Sequence, residues 1–266
     1  MNELAKRVIV AVPAAALTLW ITWLGGVYFQ VLFGLIAAGT VIESHTILKK
    51  AGLNGFLLLS LILAAAVWAF PWLSVAEMSG LLLFAMTAAL VAIILRKKEL
   101  SRAILSSFFS GLYAPIGFLM IAEIRHLGSH TDGFWLVLAF FLMIWGNDVF
   151  AYFGGKQFGK RPLAPAISPK KTWEGFFFGF LGAAMGFGIA YWISGSYPLS
   201  VWAVIPLVCT VSIAGPIGDL IVSRLKRTAG VKDSSGLLPG HGGLFDRFDS
   251  MILSAPLIFF IYWLMI

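Results

Sequence analysis

The sequence predicts an all-α integral membrane protein of about nine transmembrane helices, with its N-terminus cytoplasmic and its C-terminus on the opposite side. Three observations carry that expectation: composition, a succession of apolar runs, and the placement of charge between them. Apolar residues (Ala, Val, Ile, Leu, Met, Phe, Trp, Tyr, Cys) make up 60% of the 266, Asp, Glu, Lys and Arg only 12%, and mean hydropathy is +0.93. A soluble domain carries roughly 45–50% apolar and about 25% charged residues. Helices of the present composition are apolar all round, which suits a lipid solvent and not a water-facing surface. A span needs about 20 mostly apolar residues. The candidates run over 8–24, 26–44, 55–73, 76–95, 103–124, 132–153, 173–193, 200–222 and 249–266.

In chain order, Lys6 and Arg7 before the first run resemble the start of a signal peptide. So many spans follow that a retained first helix is expected. Gly25-Gly26 is a hairpin link to the second run, which ends near Glu43 and His45, both expected to be solvated at the interface, and then Lys49 and Lys50. Ser74-Val75 joins the third and fourth runs, and Arg96, Lys97, Lys98 and Arg102 lead into the fifth. Beyond Arg125, His126 and His130 share a helical spacing, but no third ligand is evident, so zinc is not expected there. The sixth and seventh runs bracket Lys156, Lys160, Arg161, Lys170 and Lys171; Gly195 to Pro198 turns into the eighth run. Arg224, Lys226, Arg227, Lys232 and Arg247 precede the ninth.

With the N-terminus inside, the cytoplasmic segments hold every Lys and Arg except Arg125, as the bias of positive charge toward the cytoplasm requires. A miscounted span would scramble that alternation. Trp20, Trp23, Trp72, Trp135, Trp202 and Trp263 fall near span ends, as an interfacial aromatic belt would. Topology therefore accounts for the net charge of +7, and no nucleic-acid partner is expected. The single cysteine, Cys209, excludes an intrachain disulfide. The chain reads as one polytopic membrane domain over 1–266. Residues 1–125 carry few motifs; residues 126–266 carry the catalytic helices and two richer cytoplasmic segments, about 154–172 and 223–248.

An Asp at the centre of a span costs about 2.5–3.5 kcal/mol on insertion scales, so acids in or near spans call for a reason. Asp148, Asp219, Asp246 and Asp249 all fall at cytoplasmic span ends. Asp246 and Asp249, spaced i, i+3, share a face in a first helical turn, where capping alone would explain them. Asp219 lies near a helix C-terminus, where negative charge is disfavoured. A metal ion or an internal salt bridge would account for it, and hard oxygen donors in a phosphate-rich setting favour Mg2+ over zinc.

The first rich segment contains Ser168-Pro169-Lys170-Lys171-Thr172-Trp173-Glu174-Gly175. Hydroxyls and lysines just before a helix start make a phosphate site, or simply a positive-inside loop. Gly154 to Lys160 mimics a phosphate-binding P-loop, but Arg161 stands where Ser or Thr is needed and a membrane helix, not a strand, precedes it. The second segment holds Ser223-Arg224-Leu225-Lys226-Arg227, Lys232-Asp233, and Gly240-His241-Gly242-Gly243 followed by Asp246, Arg247 and Asp249. Glycines let backbone N–H groups approach phosphate oxygens, and cations neutralise them. Anionic headgroups alone would suit a basic loop. The interleaved Asp233, Asp246 and Asp249 argue instead for a bridging metal.

Ser223 to Asp249 resembles the signature of the phosphatidate cytidylyltransferases, the CDP-diacylglycerol synthases: Ser-x-x-Lys-Arg, Lys-Asp, His-Gly-Gly, then Asp-Arg-x-Asp. The resemblance extends to Asp148-x-x-Ala151-Tyr152, Gly155, Gly159-Lys160 and Ser168-Pro169-x-Lys171-Thr172-x-Glu174-Gly175, thus covering roughly 145–250. Ser235 departs from it, standing where the family often has glycine. The resemblance implies the reaction CTP + phosphatidate → CDP-diacylglycerol + pyrophosphate, dependent on Mg2+ with a second cation left open. It implies metal ligation by Asp219 and Asp246, with Asp148 and Asp249 completing or supporting the cluster. Lys226, Arg227, Lys232 and Arg247 are expected to neutralise phosphates, with Asp233 orienting lysines or binding metal. His241 is expected to donate a hydrogen bond amid Gly240, Gly242 and Gly243. Ser168, Lys170, Lys171, Thr172, Glu174 and Ser223 are expected at the substrate. A bacterial inner membrane, a cytoplasm-facing site and membrane lipid as surroundings follow, with a homodimer left open.

Three rivals remain at the level of sequence, of which a non-catalytic lipid-binding scaffold has no need of the acids around His241-Gly242-Gly243. Another lipid phosphate, such as an isoprenoid ether lipid, would bind through equally generic apolar contacts. An ion-coupled transporter would place acids near mid-span on broken helices, whereas these lie at span ends beside phosphate-type loops.

Overall fold

The computed structural model describes residues 3–73, 87, 98–237 and 242–266. In chain order these form α1 (Glu3–Leu24), α2 (Gly26–Lys50), α3 (Leu57–Ala69), α4 (Lys98–His126), α5 (His130–Phe158), β1 (Pro162–Ala164), β2 (Ser168–Thr172), α6 (Trp173–Ser194), α7 (Val204–Thr228) and α8 (Leu244–Met265). Short 3-10 turns, Phe70–Trp72 and Val201–Ala203, follow α3 and precede α7. Among the described residues six helices are long and apolar enough to cross a membrane: α2, α4, α5, α6, α7 with its leading turn, and α8. Shorter apolar helices cover Val12–Leu24 and Leu57–Trp72. The chain is thus a helical membrane protein. The span expected over 76–95 and its link at Ser74-Val75 lie outside the described residues.

The structure departs from a purely helical reading in one place. Residues 154–172 are not a loop: α5 runs on to Phe158, and β1 and β2 then form an antiparallel hairpin with Pro162 opposite Thr172 and Ala164 opposite Ser168. The P-loop mimic is therefore largely the last turn of α5. Helical signals at its ends are ordinary. Ser129 and Asp132 form a reciprocal capping box at the start of α5, and the Thr172 hydroxyl accepts from Gly175 N–H at the start of α6.

In lipid, helices associate through close packing, since the tails are as apolar as the side chains. The most extensive pair is α5–α6. There Gly146 and Gly182 lie against each other's carbonyls, Gly186 against the Leu142 carbonyl, and Gly175 against the Ala151 carbonyl, so that backbone meets backbone. Gly117 packs against Ile252 (α4–α8) and Gly218 against the Asp249 carbonyl (α7–α8) in the same manner. Between these seams sits an aromatic core in which Phe33 contacts Phe118, Phe141 and Phe248 at ring-centroid distances of 6.1, 6.2 and 6.3 Å.

Arg125, the one cation that the alternation of charge leaves on the far side, is buried and serves a helix end. Its guanidinium donates to the Thr22 and Trp23 carbonyls at the C-terminus of α1 (2.8 and 3.2 Å) and to the His130 carbonyl (2.9 Å). A cation at the negative end of a helix dipole satisfies carbonyls that have no partner within the helix. Gly25, at φ 64°, makes the α1–α2 turn, and a side chain there would collide with that guanidinium. His130 Nε2 approaches the Arg125 guanidinium at 2.9 Å.

Candidate active site

At the other end of the bundle the chain encloses a cleft of about 680 Å³. Its walls come from the last turns of α5 (Asn147, Asp148, Ala151, Tyr152, Gly155, Lys156), the hairpin (Leu163, Lys170, Lys171, Thr172) and the first turn of α6 (Gly175, Phe176). Opposite stand α7 (Pro216, Asp219, Lys226), Asp233, and the first turns of α8 (Asp246, Arg247, Asp249, Ser250). Four helix ends and a hairpin thus converge on one hollow.

The seams explain how. Gly218 lets α7 touch the α8 backbone at Asp249, so that the next residue, Asp219, meets the Asp249 carboxyl within hydrogen-bonding reach. Asp148, carried in by α5, interacts electrostatically with Asp219, Lys171 and Arg247. Asp219 is ion-paired to Lys171 of β2 and accepts from the Ser223 hydroxyl one turn on, at 3.0 Å. The hairpin therefore presents Lys171 to Asp219, the one acid of α7.

Asp246 sits apart from that trio. Its Oδ1 is paired with Lys226 at 2.5 Å, with both side chains nearly buried, at 10% and 5% exposure. Its Oδ2 accepts from the N–H groups of Ser234 (2.6 Å) and Gly243 (3.0 Å) and from the Ser234 hydroxyl (2.8 Å). It caps α8 as a first-turn acid would and also tethers the preceding segment. Among the described residues no group of three Asp, Glu, His or Cys is arranged to hold a metal by itself. Asp219 and Asp249, with Asp148 nearby, still offer adjacent hard oxygen donors. Such a donor set fits a cation that takes one or two carboxylates and completes its shell with water and phosphate, as Mg2+ does.

The remaining expected residues divide. Lys170, Lys171, Thr172, Lys226, Asp233 and Arg247 line the cleft, and Ser223 reaches it through Asp219. Gly242 adopts φ 80° beside Asp246, and Gly243 packs against Ser234. Glu174 faces away, its carboxylate accepting from the N–H groups of Lys160 (3.0 Å) and Arg161 (3.2 Å) and so fastening the hairpin to α6. Ser168 pairs in the hairpin, Arg227 donates to the Val231 carbonyl, and neither these two nor Lys232 lines the cleft. Gly240 and His241 lie outside the described residues.

Sequence reasoning gave no role to Asn147, Lys156, Pro216 or Ser250, which line the cleft, nor to Ser234. It also misplaced Glu43. That residue is not solvated at an interface but is 6% exposed, and it accepts hydrogen bonds from the start of α8.

Comparison with known proteins identifies the family. The model of the cytidylyltransferase family matches residues 5–265. A phosphatidate cytidylyltransferase of Brucella abortus is 33% identical over 267 residues, covering 97% of this chain and 93% of that protein. One from Staphylococcus aureus is 34% identical over 71% of this chain and 70% of its own length; one from Rickettsia bellii is 38% identical over 56% and 69%.

Proposed function

This chain belongs to the cytidylyltransferase family, and from that membership and its cleft we infer that it makes CDP-diacylglycerol. It transfers the cytidylyl group of CTP to phosphatidate and releases pyrophosphate, a step of phospholipid synthesis. The observation that carries the reading is the cleft itself. Five acids and five cations meet at one end of a membrane bundle, where a lipid phosphate and a soluble triphosphate can both arrive.

The chemistry asks little covalent work of the protein. A phosphate oxygen of phosphatidate attacks the α-phosphorus of CTP, the bond from that phosphorus to the β-phosphate oxygen breaks, and pyrophosphate departs with the electron pair. Phosphatidate brings its own nucleophile, so positioning and charge neutralisation dominate. Lys170, Lys171, Lys226 and Arg247 surround the phosphates, and Thr172 offers a hydroxyl beside them. Asp219 and Asp249 would hold Mg2+, with Asp148 supporting them; when bound, the ion would supply positive charge to offset that of the phosphates and the leaving group. Asp246 keeps Lys226 in place. The cleft faces the cytoplasm, where CTP is, and the bilayer is the bacterial inner membrane; the clustered basic residues support that sidedness.

The test is direct. Purified protein in detergent with phosphatidate, labelled CTP and Mg2+ yields labelled CDP-lipid, and EDTA abolishes the product. A folded protein that gives no CDP-lipid with phosphatidate would overturn the assignment.

A further inference from the structure

Glu43 is an acid in the middle of the fold's least informative half, and it is fully engaged. Its Oε1 accepts from the Ser235 hydroxyl (2.6 Å) and Leu244 N–H (3.0 Å); its Oε2 accepts from the Ser234 hydroxyl (2.8 Å) and Phe245 N–H (2.8 Å). Leu244 and Phe245 open α8, whose first N–H groups have no partner within the helix. The carboxylate comes from α2, 191 residues before Ser234 in the chain. The Ser234 hydroxyl lies 2.8 Å from both Glu43 and Asp246 and its single proton is shared between them, so one small side chain joins two carboxylates. Gly243 has no side chain to keep them apart: a Cβ there would strike both Glu43 oxygens.

These contacts form a continuous path from α2 through Ser234 to Asp246 and on to Lys226, which stands in the cleft. We propose that Glu43 is a positioning residue for cytidylyl transfer, holding the segment 233–235 and the first turn of α8 in a single relation so that Lys226 and Arg247 meet the nucleotide phosphates. It touches no substrate. A carboxylate is needed because the Leu244 and Phe245 N–H groups can only donate and one meets each carboxylate oxygen; the amide of Gln would present its NH2 to one of them and leave that hydrogen bond unmade, whereas a serine hydroxyl could turn to accept. The inference rests on the reaction assigned above.

The test compares wild type, Glu43→Gln, Ser234→Ala and the double variant, purified as full chains, by kcat, by KM for CTP and for phosphatidate, and by thermal melting. Wild-type product formation is read first; its absence refutes the reaction itself and not the role of Glu43. Given that product, Glu43→Gln lowers kcat at least about tenfold, as small displacements of positioned groups do. KM for phosphatidate stays within about twofold, and the double variant is little worse than the poorer single one, because both act along one path. A folded Glu43→Gln with wild-type kcat overturns the proposal. So do multiplying single effects, or a phosphatidate KM that rises as far as kcat falls. If Glu43→Gln does not fold, Ser235→Ala, which deletes one donor at the rim, decides instead: a several-fold loss of kcat with unchanged phosphatidate KM supports the role, and unaltered kinetics overturn it.

Discussion

Replacing Gly175 by alanine moves the cleft wall by a known amount. Gly175 opens α6, lines the cleft, and faces the carbonyl oxygen of Ala151 on α5; a Cβ added there would lie 2.6 Å from that oxygen and 3.1 Å from the Gly155 Cα. Ordinary contact begins at 3.4 Å, so α6 must retreat by roughly 0.8 Å, and no flexible side chain can yield in its stead. Overpacking of this kind costs about 1–3 kcal/mol, offset by up to about 1 kcal/mol of improved helix propensity. Net destabilisation is therefore modest, and the protein folds. Thr172 and Lys171, just before the helix, move with it. Misplacement of about 1 Å can cost on the order of 10²-fold in rate. Gly188→Ala on the same helix meets nothing within 4 Å and is the control. Initial rates of CDP-lipid formation, with melting curves alongside, should show Gly175→Ala slowed by about 30–100-fold and Gly188→Ala at the wild-type rate. A Gly175→Ala rate within threefold of wild type would refute the link between the seam and the cleft.

Other substitutions separate chemistry from support. Asp219→Asn should lower kcat by about 10²–10³-fold with little change in melting, since its partner Lys171 is itself partly exposed. Asp246→Asn should lower melting markedly more, because it disturbs a helix cap and a buried pair together; equal melting losses would remove that distinction. Lys226→Met should destabilise by about 3–5 kcal/mol, the cost of stranding a buried carboxylate, and adding Asp246→Asn should restore part of the melting temperature. Arg125→Met, at the far end of the bundle, should cost about 1.5–3 kcal/mol through its lost charged hydrogen bonds. The rate per folded molecule should be unchanged, and a fall in that rate would mean the two ends of the bundle are coupled.

Much of the site was legible because its chemistry is rare in its surroundings. A carboxylate near a membrane span stands out, and Asp148, Asp219 and Asp249, singled out on that ground, do meet. Glu43 was not legible for the converse reason. A single glutamate near an apolar run looks interfacial, and its partners lie far along the chain and are mainly backbone N–H groups, which no sequence displays. The same holds for Asp246: its place in the motif is evident, but only the fold shows that Lys226 and Ser234 occupy its oxygens. The hairpin escaped notice because Pro162–Ala164 is too short for an alternating pattern to register. Arg125 looked like an exception to the distribution of charge until the end of α1 supplied its acceptors.

The glycine seam between α5 and α6 also bears on how such a site can change over generations. Where one backbone lies directly on another, there are no side chains to enlarge or trim, and nearly every replacement at Gly146, Gly175, Gly182 or Gly186 is a collision rather than a variation. That wall is closed to gradual adjustment. Heritable change in what the cleft accepts is thereby channelled to the hairpin, to the α7 face and to the lipid-facing surface, where side chains have room to differ.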